Sequence, residues 1–161
     1  MPSMRAALKR DPIQLWGVTV RAILLILAAM LSAGAYAAPI APGQINVRDG
    51  DTVIVGAIRY RLVGYNTPEV GFSAKCPQER ALGAQATQRL RRLVAGGGLD
   101  FERVSCQCRP GTEGTPACNY GRLCARLTAA GRDVGETLVA AGLAKPFRYG
   151  KDRFPHDWCS R

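Results

Sequence analysis

Between Gln44 and Val63 lie three short apolar segments, broken at Gly50 and at Gly56-Ala57, and in the first and third the apolar residues return at every second position. A period of two matches the alternation of side chains across a pleated strand. Ile45 and Val47 share one face of the first segment, Thr52-Val-Ile-Val55 is a β-branched run, and Ile58, Tyr60 and Leu62 share a face of the third. Three such segments joined by tight turns make a meander. The period then changes. Leu82, Ala86, Leu90 and Leu93 recur at helical spacing and predict a helix over 78–94, with Arg80, Arg89, Arg91 and Arg92 mostly off the apolar face and Gly96-Gly97-Gly98 at its end. Leu99 to Val104 and Leu123 to Leu127 read as strands, and residues 105–119 as a loop rich in Pro, Gly and Cys. Asp133 can cap a helix running to Ala141, with Gly142 in the stop position. Three strands, helix, strand, loop, strand, helix describe a small α+β or β-barrel fold.

Ahead of this pattern the chain is built differently. Arg5, Lys9 and Arg10 precede the apolar run from Ala22 to Leu31, and Ala35-Tyr36-Ala37 has the small-x-small form of a signal-peptidase site. Residues 1–37 are therefore expected to be a signal peptide, cleaved after Ala37, for a secreted or periplasmic destination. The alternative is an uncleaved membrane anchor reaching back to Leu15, which Arg21 makes costly. Residues 38–43 form a linker, 44–149 the domain and 150–161 a tail. All six cysteines, Cys76, Cys106, Cys108, Cys118, Cys124 and Cys159, follow the apolar run. An even count in a small exported domain indicates disulfides, and the spacing lacks the paired C-x-x-C knuckles of common zinc sites. The pairing stays open, except that Cys159 is expected to tie the tail back, with Trp158 packing beside it. His156, the one histidine, is expected on the surface.

Net charge is +10 overall, and residues 38–161 hold 18 basic against 11 acidic side chains. A basic domain attracts polyanions, nucleic acid and anionic membrane alike. The chemistry concentrates in residues 49–69. Asp49-Gly50-Asp51-Thr52 places two carboxylates at a glycine turn, and Arg61 is followed by Asn66-Thr67-Pro68-Glu69. Acid oxygens hold hard cations and arginine forks hold phosphate, so this pairing points to metal-assisted chemistry on a phosphodiester. Singly, each has a plainer use: Asp49-Gly50 as a hairpin turn, Arg61 as a solvent-facing strand residue, Thr67-Pro68-Glu69 as a turn.

These motifs, with Tyr120-Gly121-Arg122 and the segment from Asp133 to Lys145, resemble the staphylococcal-nuclease (thermonuclease) family, in family order over roughly residues 44 to 149. The resemblance implies an OB-fold, a five-stranded β-barrel with packed helices. It implies a calcium ion (Ca2+) held by Asp51, Asn66 and the main-chain carbonyl of Thr67, with Asp49 steadying the site from behind. Glu69 takes the place of the general base or water-orienting group, Arg61 and Arg122 grip the phosphate, and Tyr120 lies beside the nucleotide. The implied partner is DNA and/or RNA, cut with low sequence specificity to leave 3′-phosphate ends. A monomer is expected and no protein partner is indicated; the membrane becomes a partner only if the N-terminal segment stays uncleaved.

Three departures from the family stand out. Asn66 replaces a carboxylate, which predicts calcium affinity lower by about one to two orders of magnitude. The consequence is either a nuclease that works at millimolar calcium or a nucleic-acid-binding module with a weakened metal site. The cysteine-bearing loop before Tyr120 is long. Pro146-Phe147-Arg148-Tyr149 stands where the family has tyrosines, so Phe147 or Tyr149 serves either base stacking or packing.

Overall fold

The computed structural model describes residues 39–149, 152 and 157–160. The signal or anchor expected at residues 1–37, and His156, lie outside them. The meander forms as expected: β1 (Ile45–Val47), β2 (Thr52–Val55) and β3 (Ile58–Leu62) pair antiparallel in sequence. β3 then pairs in parallel with β6 (Leu123–Ala129), whose other edge carries β5 (Leu99–Val104) antiparallel. A short β7 (Arg132–Asp133) pairs with the end of β6, and β4 (Tyr65–Asn66) pairs with β8 (Lys145–Pro146) as a separate ribbon. Two helices complete the fold, α1 (Pro77–Ala95) and α2 (Val134–Ala140).

The architecture is α+β, a curled mixed sheet forming a half-barrel with two helices. The expected five-stranded barrel with packed helices is met in part, as a half-barrel with two helices. The main sheet has six strands, in the order β1-β2-β3-β6-β5 with β7 on β6. Between its two edges the described pairing is one antiparallel bridge, Ile40 to Leu99, placed just before β1. The strand at that edge is three residues long, too short to carry a ladder across.

The core lies inside the curl, around Val53, Leu62, Leu90, Leu127, Val134 and Leu138. Helix α1 presents a different stripe from the one predicted. Leu90 and Ala86 are buried, but Leu82 and Leu93 are half-buried, and Glu79, Gly83 and Val94 complete the inward face. In β3, Tyr60 and Leu62 face the core as expected, while Ile58 at the hairpin end is exposed.

Gly83 explains why α1 turned this way. A Cβ there would lie 2.5 Å from the carbonyl oxygen of Glu69 and 2.8 Å from that of Pro68. The helix rests directly on the main chain that carries Glu69. Gly83→Ala should cost a net of about 1–2 kcal/mol, because overpacking outweighs the gain in helix propensity. Thermal melting checks this: a variant as stable as the parent would mean the segment yields freely.

All six cysteines are paired: Cys76–Cys159, Cys106–Cys124 and Cys108–Cys118. The first ties the tail to the residue capping α1, as expected of Cys159. Trp158 is buried beside it, with Lys145 Nζ 4.6 Å from its ring centre. Cys106–Cys124 braces the 105–119 loop against β6, and Cys108–Cys118 closes the loop on itself.

Candidate functional site

Arg61 lies on β3, and Arg122 immediately precedes β6, the parallel neighbour of β3. The parallel register sets Arg61 opposite Cys124, and the antiparallel register of β2 sets Thr52 opposite Arg61. Asp51, Thr52, Arg61 and Arg122 are thereby drawn to one end of the sheet. Arg61 is not the solvent-facing strand residue that its position alone would allow. Its side chain is 12 % exposed, as is that of Asp51, and Arg61 Nη1 lies 2.6 Å from Asp51 Oδ2. Arg61 Nη1 also donates to Leu62 O at 3.1 Å, and Nη2 donates to Tyr65 O at 2.9 Å and Asn66 Oδ1 at 3.0 Å.

Asp51 is the hub. Its Oδ2 also accepts from the Thr67 amide at 3.2 Å and the Thr67 hydroxyl at 3.0 Å, and its Oδ1 accepts from Thr52 Oγ1 at 3.3 Å. Asp49 joins through Oδ1, which accepts from the Asp51 amide at 3.2 Å. Asn66 Nδ2 donates to the Thr67 carbonyl at 3.3 Å. Gly50, between the two aspartates, gives more than a turn: a Cβ there would meet the Thr67 side chain at 2.8 Å. The glycine is what lets Thr67 reach Asp51.

Arg122 enters from the other side. Its Nη1 donates to Thr52 Oγ1 at 2.9 Å, while Nε and Nη2 donate to the carbonyl and side-chain oxygens of Asn119, each at 3.1 Å. A guanidinium has five N–H groups, so Arg122 keeps donors for an incoming oxyanion. Tyr120 is 81 % exposed, with its ring centre 5.9 Å from the Arg122 guanidinium carbon. Asn119, Tyr120 and Gly121 are all left-handed, at φ 55°, 57° and 78°. Two non-glycine residues in that region store strain of about 1–3 kcal/mol each, which the flanking disulfides and the Arg122 contacts hold in place.

Glu69 is half-buried at the end of the segment under Gly83. Its main-chain amide donates to Glu79 Oε1 at 3.3 Å, and the Lys75 amide donates to Glu79 Oε2 at 2.7 Å. Glu79, 2 % exposed, thus clamps both ends of the loop that follows Glu69. The carboxyls share one field. Burial, then the Asp51 charge, holds the Asp49 carboxyl above the usual carboxylate range. Burial, then Asp51, Asp49 and Glu79, does the same for Glu69, which makes it a better proton acceptor once ionised. Burial and the neighbouring Arg61 lower the Arg122 guanidinium from its usual value.

Of the residues singled out in the sequence, Asp49, Asp51, Arg61, Asn66, Thr67 and Arg122 are linked in one cluster, through Thr52 in the case of Arg122, with Tyr120 beside Arg122 and Glu69 within electrostatic reach of the cluster. Four contributors carried no sequence signal for this role: Thr52, which bridges Asp51 and Arg122; Tyr65, buried with its hydroxyl donating to Gly50 O at 3.1 Å; Asn119; and Glu79. An acid in the first turn of a Pro-led helix hints at Glu79, though as a helix cap rather than a loop clamp. Beside Arg61 opens a groove of about 760 Å³, lined among others by Gly64, Tyr65, Arg126, Phe147 and Tyr149. Its lining includes Arg61 but not Asp49, Asp51 or Glu69.

Asp49, Asp51, the Asn66 amide oxygen and the Thr67 carbonyl are oxygen donors of the kind a hard cation takes, but among the described residues no group of three or more His, Cys, Asp and Glu side chains is placed to hold a metal ion. The crowding of Asp49, Asp51 and Glu69 leaves negative charge that a cation would relieve. Arg61 holds two of the same oxygens and is the competitor for them. No protein-family model matches the chain, and no curated protein matches it.

Proposed function

We propose that this chain is an exported, calcium-dependent nuclease that hydrolyses DNA and/or RNA with low sequence specificity, on an OB-type fold of the staphylococcal-nuclease kind. The observation that carries the reading is the convergence of Asp51, Arg61, Arg122 and Glu69 into one coupled site: cation donors, two phosphate-binding forks and a base. Three disulfides in the described domain support an oxidising compartment.

Asp51, Asn66 and the Thr67 carbonyl would hold calcium, which when bound polarises the phosphate and offsets its growing charge. Arg122, and Arg61 once released from Asp51, donate paired hydrogen bonds to the phosphoryl oxygens. Glu69 takes a proton from the attacking water, a new P–O bond forms to that water oxygen, and the bond to the 5′ oxygen breaks as that oxygen takes a proton from solvent, leaving a 3′-phosphate and a 5′-hydroxyl. The groove beside Arg61, with Phe147 and Tyr149 on its wall, has room and rings for a neighbouring nucleotide.

The test is cleavage of single-stranded DNA by the oxidised protein across a calcium titration into the millimolar range, with EDTA as control. Cutting that needs calcium supports the nuclease. DNA binding without cutting at any calcium level supports the second reading, a binding module. That reading draws on the Asp51–Arg61 pair and the Arg61–Asn66 bond, which already neutralise the donors. Asn66→Asp separates the two further. If the site is a working metal centre, an added carboxylate should tighten calcium by about ten- to a hundredfold and keep or raise activity, measured by calorimetry and cleavage. No gain in affinity would sink the metal assignment. Arg61→Gln makes the complementary case. An unpaired buried carboxylate costs several kcal/mol, and a cation recovers part of it. Calcium should therefore bind roughly tenfold tighter or better; weaker binding would mean Arg61 does not compete.

A further inference from the structure

Phe72 is 105 % exposed, the most exposed large apolar side chain among the described residues. A lone exposed ring is common on surfaces and by itself means nothing. This one is displayed by a turn that is fastened on every side. Gly71 takes φ +59°, Ser73 N bonds to Val70 O at 3.3 Å, and the 3-10 turn spans Gly71–Ser73. The buried Glu79 carboxylate holds the amides of Glu69 and Lys75 on either side of it. Arg80 Nε donates to Gly71 O at 3.1 Å, setting a guanidinium at the base of the turn. Cys76, just beyond, is locked to Cys159. The ring is held out in water by a frame that leaves the turn little freedom to fold it back.

Its surroundings indicate what it meets. Phe72 follows Glu69 by three residues, so their Cα atoms are at most about 11 Å apart. Lys75 and Arg80 are exposed cations on the same loop and helix start. A projecting aromatic ring with cations at its foot, beside a site that handles phosphate, is the combination that stacks a base while the cations meet its backbone. A paired base in a duplex has its faces covered by its neighbours, so such a ring gains contact only from an unpaired one. Resting on the nucleic-acid reading above, we propose that Phe72 is a stacking platform for an unpaired nucleobase next to the reacting phosphodiester, and that it gives this domain a preference for single strands.

Fluorescence anisotropy of the full chain with a labelled single-stranded oligonucleotide, and with the matching duplex, tests this. Phe72→Ala should weaken single-strand binding by about tenfold or more and leave duplex binding and the melting temperature unchanged, since the ring packs on nothing. Phe72→Trp should restore single-strand affinity. Equal binding by Phe72→Ala and parent, with duplex binding intact, would overturn the platform and leave the nucleic-acid reading standing. Failure of the parent to bind either oligonucleotide would overturn both. Loss of binding to vesicles of anionic phospholipid in Phe72→Ala, with oligonucleotide binding unchanged, would assign the ring to a membrane surface instead.

Discussion

Glu69→Gln should lower kcat on single-stranded DNA by about two to four orders of magnitude, the range for loss of a positioned general base, while KM changes little. Glutamine has nearly the same shape and keeps the main-chain amide that Glu79 holds, so the loop stays in register. What it loses is the carboxylate charge and basicity that take the proton. Stability should be unchanged or higher at neutral pH, and the sign follows from charge crowding. The folded carboxyl is raised above its usual value by burial, Asp51, Asp49 and Glu79. The folded state therefore binds the proton more tightly than the unfolded chain, and stability falls as pH rises from the ordinary carboxylate value through the raised one. Glutamine does not titrate and escapes that loss. A variant that keeps the parent's kcat would remove Glu69 from the chemistry; one that is markedly less stable would make it structural.

The second large effect is expected from the disulfide beside Arg122. Cys106→Ser with Cys124→Ser removes a cross-link of sequence separation 18, which contributes about 3 kcal/mol on a chain-entropy account. A local consequence falls on the site itself. Cys124 Sγ accepts from Asn119 Nδ2 at 3.4 Å, and Cys106 Sγ sits 3.9 Å from the Arg122 carbonyl. Asn119 in turn aims Arg122 through two hydrogen bonds from a left-handed turn. Without the brace the turn can relax and Arg122 loses its aim. Cleavage should fall by about ten- to a hundredfold, since loss of one aligned donor to a transition-state oxyanion costs about that or more. The parent treated with a dithiol reductant should behave alike. Chemical denaturation and steady-state kinetics read both effects, and a double variant with parental kinetics would show that Arg122 is positioned without the disulfide.

Much of this protein can be read along its chain. The meander, α1, β5, β6 and α2 follow from apolar period, and the last helix starts and stops as its residues dictate: Asp133 Oδ1 accepts from the Glu136 amide at 3.0 Å, and Gly142 takes φ +69°. The short pairs β4 with β8 and β6 with β7 could not be read, because two residues have no period and their partner lies far along the chain or across a turn. Nor could the inward face of α1. Leu82 loses its place to Glu79 and Gly83 because the neighbour there is a backbone whose amides a carboxylate satisfies and a leucine does not, while at the far end Val94 is buried in place of Leu93.

The sequence alone determined which groups the site contains: the carboxylates, the two arginines, and the Asn66 amide. Only the tertiary structure decided who meets whom. Six chemically identical thiols cannot choose partners until folding sets their distances. Nor does the position of Arg61 say that it will rest on Asp51 and Asn66. That contact exists because β3 lies between β2 and β6, bringing Thr52 and Cys124 to either side of Arg61. Charge is a property of residues, but its balance depends on separation, and separation between distant segments is made by packing.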